Sequence, residues 1–275
     1  MHASTRYTIR VALIVALGGF LMGFDASVIS GVVTFIEPEF SLSKIELGWA
    51  VASLTLTATI AMMVSGPLSD RIGRRAVLKI AAALFTVSAI ASAIAPDFIT
   101  LVAARMLGGF GVGAALIIAP MYIAELAPAD IRGRMVSFNQ LNIVIGISAA
   151  FFSNYLILGL AQSELGWAQT LGMDTWTWRW MLGVEALPAV FYFFALYTVP
   201  ESPRWLVMQG KDAAALDIMA QVSGRAAAEA ELAEVRQTLD AETRQRQASL
   251  RELFHPAMKL VLTIGIVVAV LQQIT

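Results

Sequence analysis

Long apolar runs, each bounded by polar or charged residues, recur along this sequence and limit the folds open to it. A hydrocarbon core about 30 Å thick is crossed by about 20 residues of α-helix, which satisfies its own backbone hydrogen bonds there. Runs of that length predict an all-α membrane protein with six complete spans and the start of a seventh. The predicted spans are 10–35, 47–66, 77–95, 98–122, 135–160, 179–199 and 257 to the end.

The composition agrees with several spans and excludes other classes of protein. Hydrophobic residues make up 58% of the chain and charged residues 14%, and the mean hydropathy of +0.72 is too high for a soluble domain of 275 residues. The net charge of -1 gives no reason to expect nucleic acid as a partner. We expect neither a cofactor nor a metal, since cysteine is absent and there are two histidines. No constellation typical of an enzyme nucleophile or a phosphate-binding loop occurs either.

The distribution of basic residues predicts the orientation of the spans, because loops rich in Lys and Arg stay in the cytoplasm. If the N-terminus is cytoplasmic, only Lys44 and Arg179 fall outside, and Arg105 lies within a span. The other basic residues among the 19 all lie on the cytoplasmic side. The sequence therefore predicts a multi-pass protein of the cell (inner) membrane with a cytoplasmic N-terminus.

Two cytoplasmic connections carry much of the charge. The segment 66–75, GPLSDRIGRR, is expected to be a turn at the membrane surface, because Gly66, Pro67 and Gly73 disfavour helix. The segment 211–253 is rich in Ala, Glu, Arg and Gln, with apolar residues at helical spacings. It is interpreted either as short amphipathic helices on the cytoplasmic face or as a solvated linker between two bundles.

Three ionisable residues lie inside predicted spans, where an unpaired charge costs several kcal/mol. Counted along their helices, Asp25, Arg105 and Glu185 all come to about 8 to 10 Å below the outer surface. Two carboxylates and one guanidinium carry a net charge of minus one, so one bound proton neutralises the cluster. This arrangement is typical of a proton-coupled carrier, and the alternative is a static group that only holds helices together.

Glutamine side chains in the spans are candidates for binding a neutral ligand with many hydroxyl groups. Gln140 lies in the fifth span, and Gln272 and Gln273 lie at about mid-bilayer in the seventh. An amide both donates and accepts hydrogen bonds, which suits a sugar. The alternative is that these amides bond neighbouring helices.

A set of local motifs extends along the whole chain and resembles the sugar porter branch of the major facilitator superfamily. They are GFDASVISG at 23–31, GPLSDRIGRR at 66–75, RMLGGFGVG at 105–113, PMYIAELAPADIRGR at 120–134, WRW at 178–180, PESPRWL at 200–206 and QQIT at 272–275. The resemblance is to bacterial sugar:proton symporters for pentoses, hexoses or inositol. It implies twelve helices in two halves, of which this chain carries a six-helix bundle (1–203), a cytoplasmic helical linker (204–256) and the start of helix seven (257–275).

The resemblance also implies roles for individual residues. Asp25 is expected to be the proton-coupling acid, Arg105 its partner and Glu185 a further acid, while Gln140, Gln272 and Gln273 match sugar-binding glutamines. A cytoplasmic charge network is expected to latch the two halves together when the carrier faces outward. Its residues are Asp70, Arg71, Arg74, Arg75, Glu125, Arg132, Glu201 and Arg204.

The sequence departs from this pattern in two ways. Ile147 stands where some symporters carry a second polar residue near the sugar. The chain also stops within the seventh span, so we expect it to need a C-terminal half for transport. Two other functions are compatible with the motifs, a proton-independent sugar facilitator and a sugar sensor that does not transport.

Overall fold

A computed structural model describes residues 3–128, 130–245 and 259–274, and this part of the chain is helical without strands. Five long helices come first: α1 (Ala3–Glu39), α2 (Lys44–Ile72), α3 (Arg74–Ala93), α4 (Phe98–Leu126) and α5 (Arg132–Ala161). The short α6 (Gly166–Thr170) precedes the sixth span, which consists of α7 (Thr177–Gly183), α8 (Ala186–Ala195) and a 3-10 turn (Leu196–Thr198). The chain continues with α9 (Pro203–Met208), α10 (Asp212–Ser223), α11 (Arg225–Gln245) and α12 (Lys259–Ile274).

Six of these segments are long and apolar enough to cross a membrane, which confirms the predicted six-helix bundle. The observed spans begin earlier or end later than most of the predicted ones, because the helices continue past the hydrocarbon-length core. Local caps set two of the beginnings. Ser43 and Glu46 form a capping box at α2. The Asp97 carboxylate accepts the Thr100 N–H at α4, and this hydrogen bond lowers the pKa of Asp97.

The expected turn at 66–75 is wrong for most of its length. Helix α2 continues through Gly66 and Pro67 to Ile72, and the chain turns only at Gly73, whose φ is +98°. Pro67 removes one backbone donor, but near the end of a helix the carbonyl it leaves unpaired can meet water. Glycine is required at Gly73 by both its positive φ and the Glu201 carboxylate, which lies 2.5 Å from the site of a Cβ.

The bundle is organised around three close helix contacts: α1 with α5, α4 with α2, and α4 with α3. Small residues allow the helix backbones to meet. A Cβ at Gly23 would overlap the Ile143 carbonyl of α5, and one at Gly113 would overlap the Ala58 carbonyl of α2. Without Cβ atoms at these positions, helices pack with their backbones almost in contact, as is common in membranes.

The amphipathic helices predicted after the sixth span are present as far as Gln245. Leu206, Met219 and Leu232 form a small core of α9, α10 and α11, and α10 also packs against α1, with Val222 reaching the core of the bundle. This packing favours docked helices over a solvated linker. The remainder of the predicted linker, 246–258, lies outside the described residues, so the domain boundaries stay a prediction.

We predict that Gly113→Val lowers the free energy of unfolding by about 1–3 kcal/mol, because the added side chain must push α2 away from α4. The matched control is Gly159→Val, at an exposed helical glycine with open space around its Cβ position. Thermal unfolding of both variants in detergent measures the difference. Equal melting temperatures would contradict the close α2–α4 contact.

Candidate functional site

The first candidate site is a buried ion pair between α1 and α4. Arg105 Nη1 lies 3.2 Å from Asp25 Oδ1, and Arg105 Nη2 donates to the Asp25 backbone carbonyl at 3.2 Å. The two residues are 1% and 2% exposed, so the pair is removed from solvent on all sides. A lone charge at this place would be very costly, and the contact explains how both can be buried.

Glu185 joins this pair from the sixth span. It is 3% exposed and interacts electrostatically with both Asp25 and Arg105. It lies at the interruption between α7 and α8, which has a local cause: Pro188 lacks the N–H that would bond to the Val184 carbonyl. Leu187 N–H bonds to that carbonyl at 3.2 Å, in the tighter i to i+3 pattern. The structure therefore brings together Asp25, Arg105 and Glu185, which were predicted to lie at the same depth in the membrane.

The cluster is incompletely hydrogen-bonded within the protein. Asp25 Oδ2, Arg105 Nε and Glu185 Oε1 are buried and have no protein partner. Asp25 Oδ2 points towards Gly108, where an added Cβ would lie 2.7 Å from it and 2.5 Å from Ser88 Oγ. Buried polar atoms without partners are costly, so the two carboxylate oxygens suit a proton or a water molecule, and the Arg105 Nε–H suits a water molecule. Among the described residues no group of three or more His, Cys, Asp or Glu could hold a metal.

The predicted glutamines are only partly described. Gln140 is exposed on α5, on the side that carries Val144 and Phe151, which are also exposed. The side chains of Gln272 and Gln273 lie outside the described residues, although α12 runs to Ile274. The role of the three amides in binding therefore stays a prediction.

A second polar cluster, here called the charged end, lies where α2, α4 and the sixth span end and α3 begins. Arg74 is bidentate on Glu125, with Nε and Nη2 each 3.0 Å from a carboxylate oxygen, and its Nη1 is 2.9 Å from Asp70. The Arg74 side chain is only 4% exposed. Ser202 Oγ donates to the same Glu125 carboxylate at 2.5 Å. A planar guanidinium fits this bidentate geometry, which a lysine ammonium cannot reproduce.

Glu201 ties the PESPRWL motif to the start of α3. Its Oε1 accepts the backbone N–H of Arg75 at 3.1 Å and that of Ser202 at 2.9 Å. Gly73 has no side chain to cap α3, so the Glu201 carboxylate, 126 residues after Arg75, supplies the cap. Arg75 Nη1 returns the contact by donating to the Val199 carbonyl at 3.0 Å.

The other residues of the predicted network are Arg71, Arg132 and Arg204. Arg71 is exposed and makes no ion pair within the described chain. Arg132 is exposed and donates to the Ala127 carbonyl at 3.4 Å. Arg204 lies in the first turn of α9. All the charged-end contacts given above join helices of this one bundle, so a latch between two halves stays a prediction.

Sequence reasoning missed several polar contacts. Tyr122 OH donates to the Pro200 carbonyl at 2.8 Å, and Trp205 Nε1 donates to the Asp70 carbonyl at 3.0 Å. At the opposite end Arg179 donates to the Ala95 carbonyl at 2.5 Å, pairs with Glu39 at 3.3 Å and lies over the Trp178 ring at 4.3 Å. The WRW motif was a signal for the last contact, because an arginine flanked by tryptophans at an interface commonly anchors a helix end.

Six apolar spans around a buried charge cluster define a polytopic membrane protein. Residues 11–275 match the family model "Sugar (and other) transporter". The chain is 39% identical to the arabinose-proton symporter of Bacillus subtilis and 37% identical to the D-xylose-proton symporter of Escherichia coli. Both alignments cover 98% of this chain. A solved structure of the proton:xylose symporter XylE superposes with a TM-score of 0.81 at 36% identity, over 91% of this chain.

The chain belongs to the sugar transporter family, within the major facilitator superfamily, and its fold is that of the N-terminal half of such a transporter. These relatives are transporters and not enzymes. The chain spans 56% of the arabinose symporter and 56% of the matched XylE chain, about half the length of each.

We predict that Arg74→Lys lowers the free energy of unfolding by about 1–3 kcal/mol, because lysine cannot contact Glu125 with two parallel hydrogen bonds. Arg71→Lys is the matched control and should change it by less than about 0.5 kcal/mol, because Arg71 is exposed. Thermal unfolding of the two variants in the same detergent makes the comparison. An Arg74 variant that is no less stable than the Arg71 control would contradict a stabilising role for the buried bidentate contact.

Proposed function

We propose that this chain forms the first half of a transporter that couples sugar uptake to proton entry. The observation that carries the proposal is the buried cluster of Asp25, Arg105 and Glu185 in the middle of a six-span bundle. The names of the relatives, which are proton symporters for arabinose and xylose, support the same function. A monosaccharide such as a pentose or hexose, or inositol, is the proposed substrate.

Proton binding changes the charge of the cluster and so the cost of enclosing it. With both carboxylates ionised the three groups carry a charge of minus one, and one proton shared between Asp25 and Glu185 makes them neutral. The oxygens without partners, Asp25 Oδ2 and Glu185 Oε1, are the places where a proton can be held without breaking the contact to Arg105. A neutral cluster can lose its contact with water at a lower cost, which favours passage through an occluded state.

The sugar is proposed to bind near mid-membrane between this bundle and a second one. Gln140, Gln272 and Gln273 are the proposed contacts in this chain, and Ile147 limits the polar groups available on α5. The exposure of Gln140 on one wall is compatible with a cavity whose other wall belongs to a C-terminal half. Alternating access then requires both halves to rock around the fixed site.

The charged end is proposed to lie in the cytoplasm and to take part in closing that side. Arg74, Arg75, Glu125 and Glu201 hold the ends of α2, α3, α4 and the sixth span in place. Arg71 and Arg132, the two exposed members of the predicted network, then present charge to the second half. Exposed ion pairs contribute about 0–1 kcal/mol each, which suits contacts that must break in every cycle.

In the complete protein, Asp25→Asn is expected to abolish accumulation of sugar against a gradient while leaving exchange of sugar across the membrane largely intact. Asparagine keeps the shape of the side chain but cannot cycle a proton. Uptake of radiolabelled D-xylose and L-arabinose into cells, compared with exchange in preloaded vesicles, measures the two activities separately. Asp174→Asn, an exposed carboxyl outside the spans, is the control.

The same assays distinguish the alternatives. Wild-type uptake that an uncoupler does not reduce would identify a proton-independent facilitator. Sugar binding without uptake or exchange would identify a sensor. Unimpaired accumulation by Asp25→Asn would mean that the buried cluster serves only to hold helices together.

The orientation is open to a direct test, because the chain has no cysteine. We predict that a membrane-impermeant maleimide labels Gln169→Cys in intact cells but labels Ala214→Cys only after the membrane is opened. Both positions are exposed, one before the sixth span and one in α10. The measurement needs a background without other cysteines, and labelling in the reverse order would overturn the cytoplasmic N-terminus.

A further inference from the structure

A groove of about 600 Å³ lies between α1 and the sixth span, and its lining includes no residue of the buried cluster. Arg6, Arg10 and Leu13 line it from the start of α1, and Phe191 and Ala195 line it from α8. Arg6, Arg10 and Leu13 are three to four residues apart, so their side chains lie along one face of the helix.

The polarity of this groove changes along its length. The sixth span runs antiparallel to the first, since successive spans alternate in direction. Thr198, at the end of the sixth span, is therefore level with Arg6, and Phe191 is level with Leu13. The groove is thus basic at the end of the bundle and apolar further into the membrane. Leu13 and Phe191 are 45% and 65% exposed, so its apolar part opens to the surroundings of the bundle.

The two arginines at the mouth are available for a ligand. Both are exposed, and neither has an ion-pair partner within the described residues. Two guanidinium groups one turn apart, beside an apolar channel at the membrane boundary, are complementary to a phosphate that carries acyl chains. A soluble anion would use the arginines but not the apolar part.

We propose that this groove binds one anionic phospholipid, with its phosphate between Arg6 and Arg10 and an acyl chain along Leu13, Phe191 and Ala195. The lipid would fix the first turns of α1 against the end of the sixth span. This site does not depend on which substrate the protein carries.

The test uses the complete protein, delipidated in detergent and titrated with palmitoyl-oleoyl phosphatidylglycerol or the corresponding phosphatidylcholine. Native mass spectrometry counts bound lipids and gives the dissociation constant of the first one. We expect phosphatidylglycerol to bind more tightly, and Arg6→Gln with Arg10→Gln to weaken it by about fivefold per arginine. Arg134→Gln, which removes an exposed arginine outside the groove, is the matched control.

A second variant keeps every charge, so an altered insertion of the first helix cannot explain its result. Ala195→Trp fills the apolar part of the groove and should also weaken the first phosphatidylglycerol by several fold while leaving thermal unfolding unchanged. Equal affinity for the two lipids, or equal losses in the Arg134 control, would overturn the proposal. Displacement of the lipid by millimolar glycerol 3-phosphate would also overturn it, by showing a site for a soluble anion.

Discussion

The contact between Asp25 and Arg105 is the interaction on which the centre of this bundle depends. Taking either charge into an apolar interior alone would cost several kcal/mol, so each residue is tolerable only beside the other. The contact also requires α1 and α4 to approach closely, and Gly108 leaves space for the second Asp25 oxygen. Close packing and charge burial are therefore two aspects of one constraint. Removing Arg105 would leave the two carboxylates of Asp25 and Glu185 without a cation in the centre of six spans.

The spans and the level of the three charges could be predicted from the sequence because both follow from simple counting. Hydrocarbon thickness sets the length of an apolar run, and the rise per residue sets the depth of Asp25, Arg105 and Glu185. The end of α2 could not be predicted in the same way. Pro67 disfavours helix locally, yet the helix continues to Ile72, since tertiary contacts and access to water outweigh one lost hydrogen bond.

Long-range caps were also beyond sequence reasoning. No local pattern says that Glu201 caps α3 across 126 residues, or that Arg179 bonds the last carbonyls after α3. Composition marked both residues as charges near a membrane surface, but their partners are backbone groups, which every residue has. The roles of Gln272 and Gln273 stay predictions for a different reason, because their side chains lie outside the described part of α12.

Two elements connect the buried cluster to the charged end. Helix α4 carries both Arg105 and Glu125, about 30 Å apart along an unbroken helix, and the sixth span carries Glu185 and leads to Glu201. The sixth span is interrupted at Glu185, whereas α4 packs closely against α2 and α3 through its glycines. Two elements can therefore transmit a change of charge at the cluster to the charged end. Helix α4 carries Pro120 between Arg105 and Glu125 but continues as one helix, while the sixth span is interrupted beside the Glu185 carboxylate itself. If the proposed proton binds beside Glu185, we expect a shift of that side chain to reach Glu201 along the sixth span, and the start of α3 through Glu201.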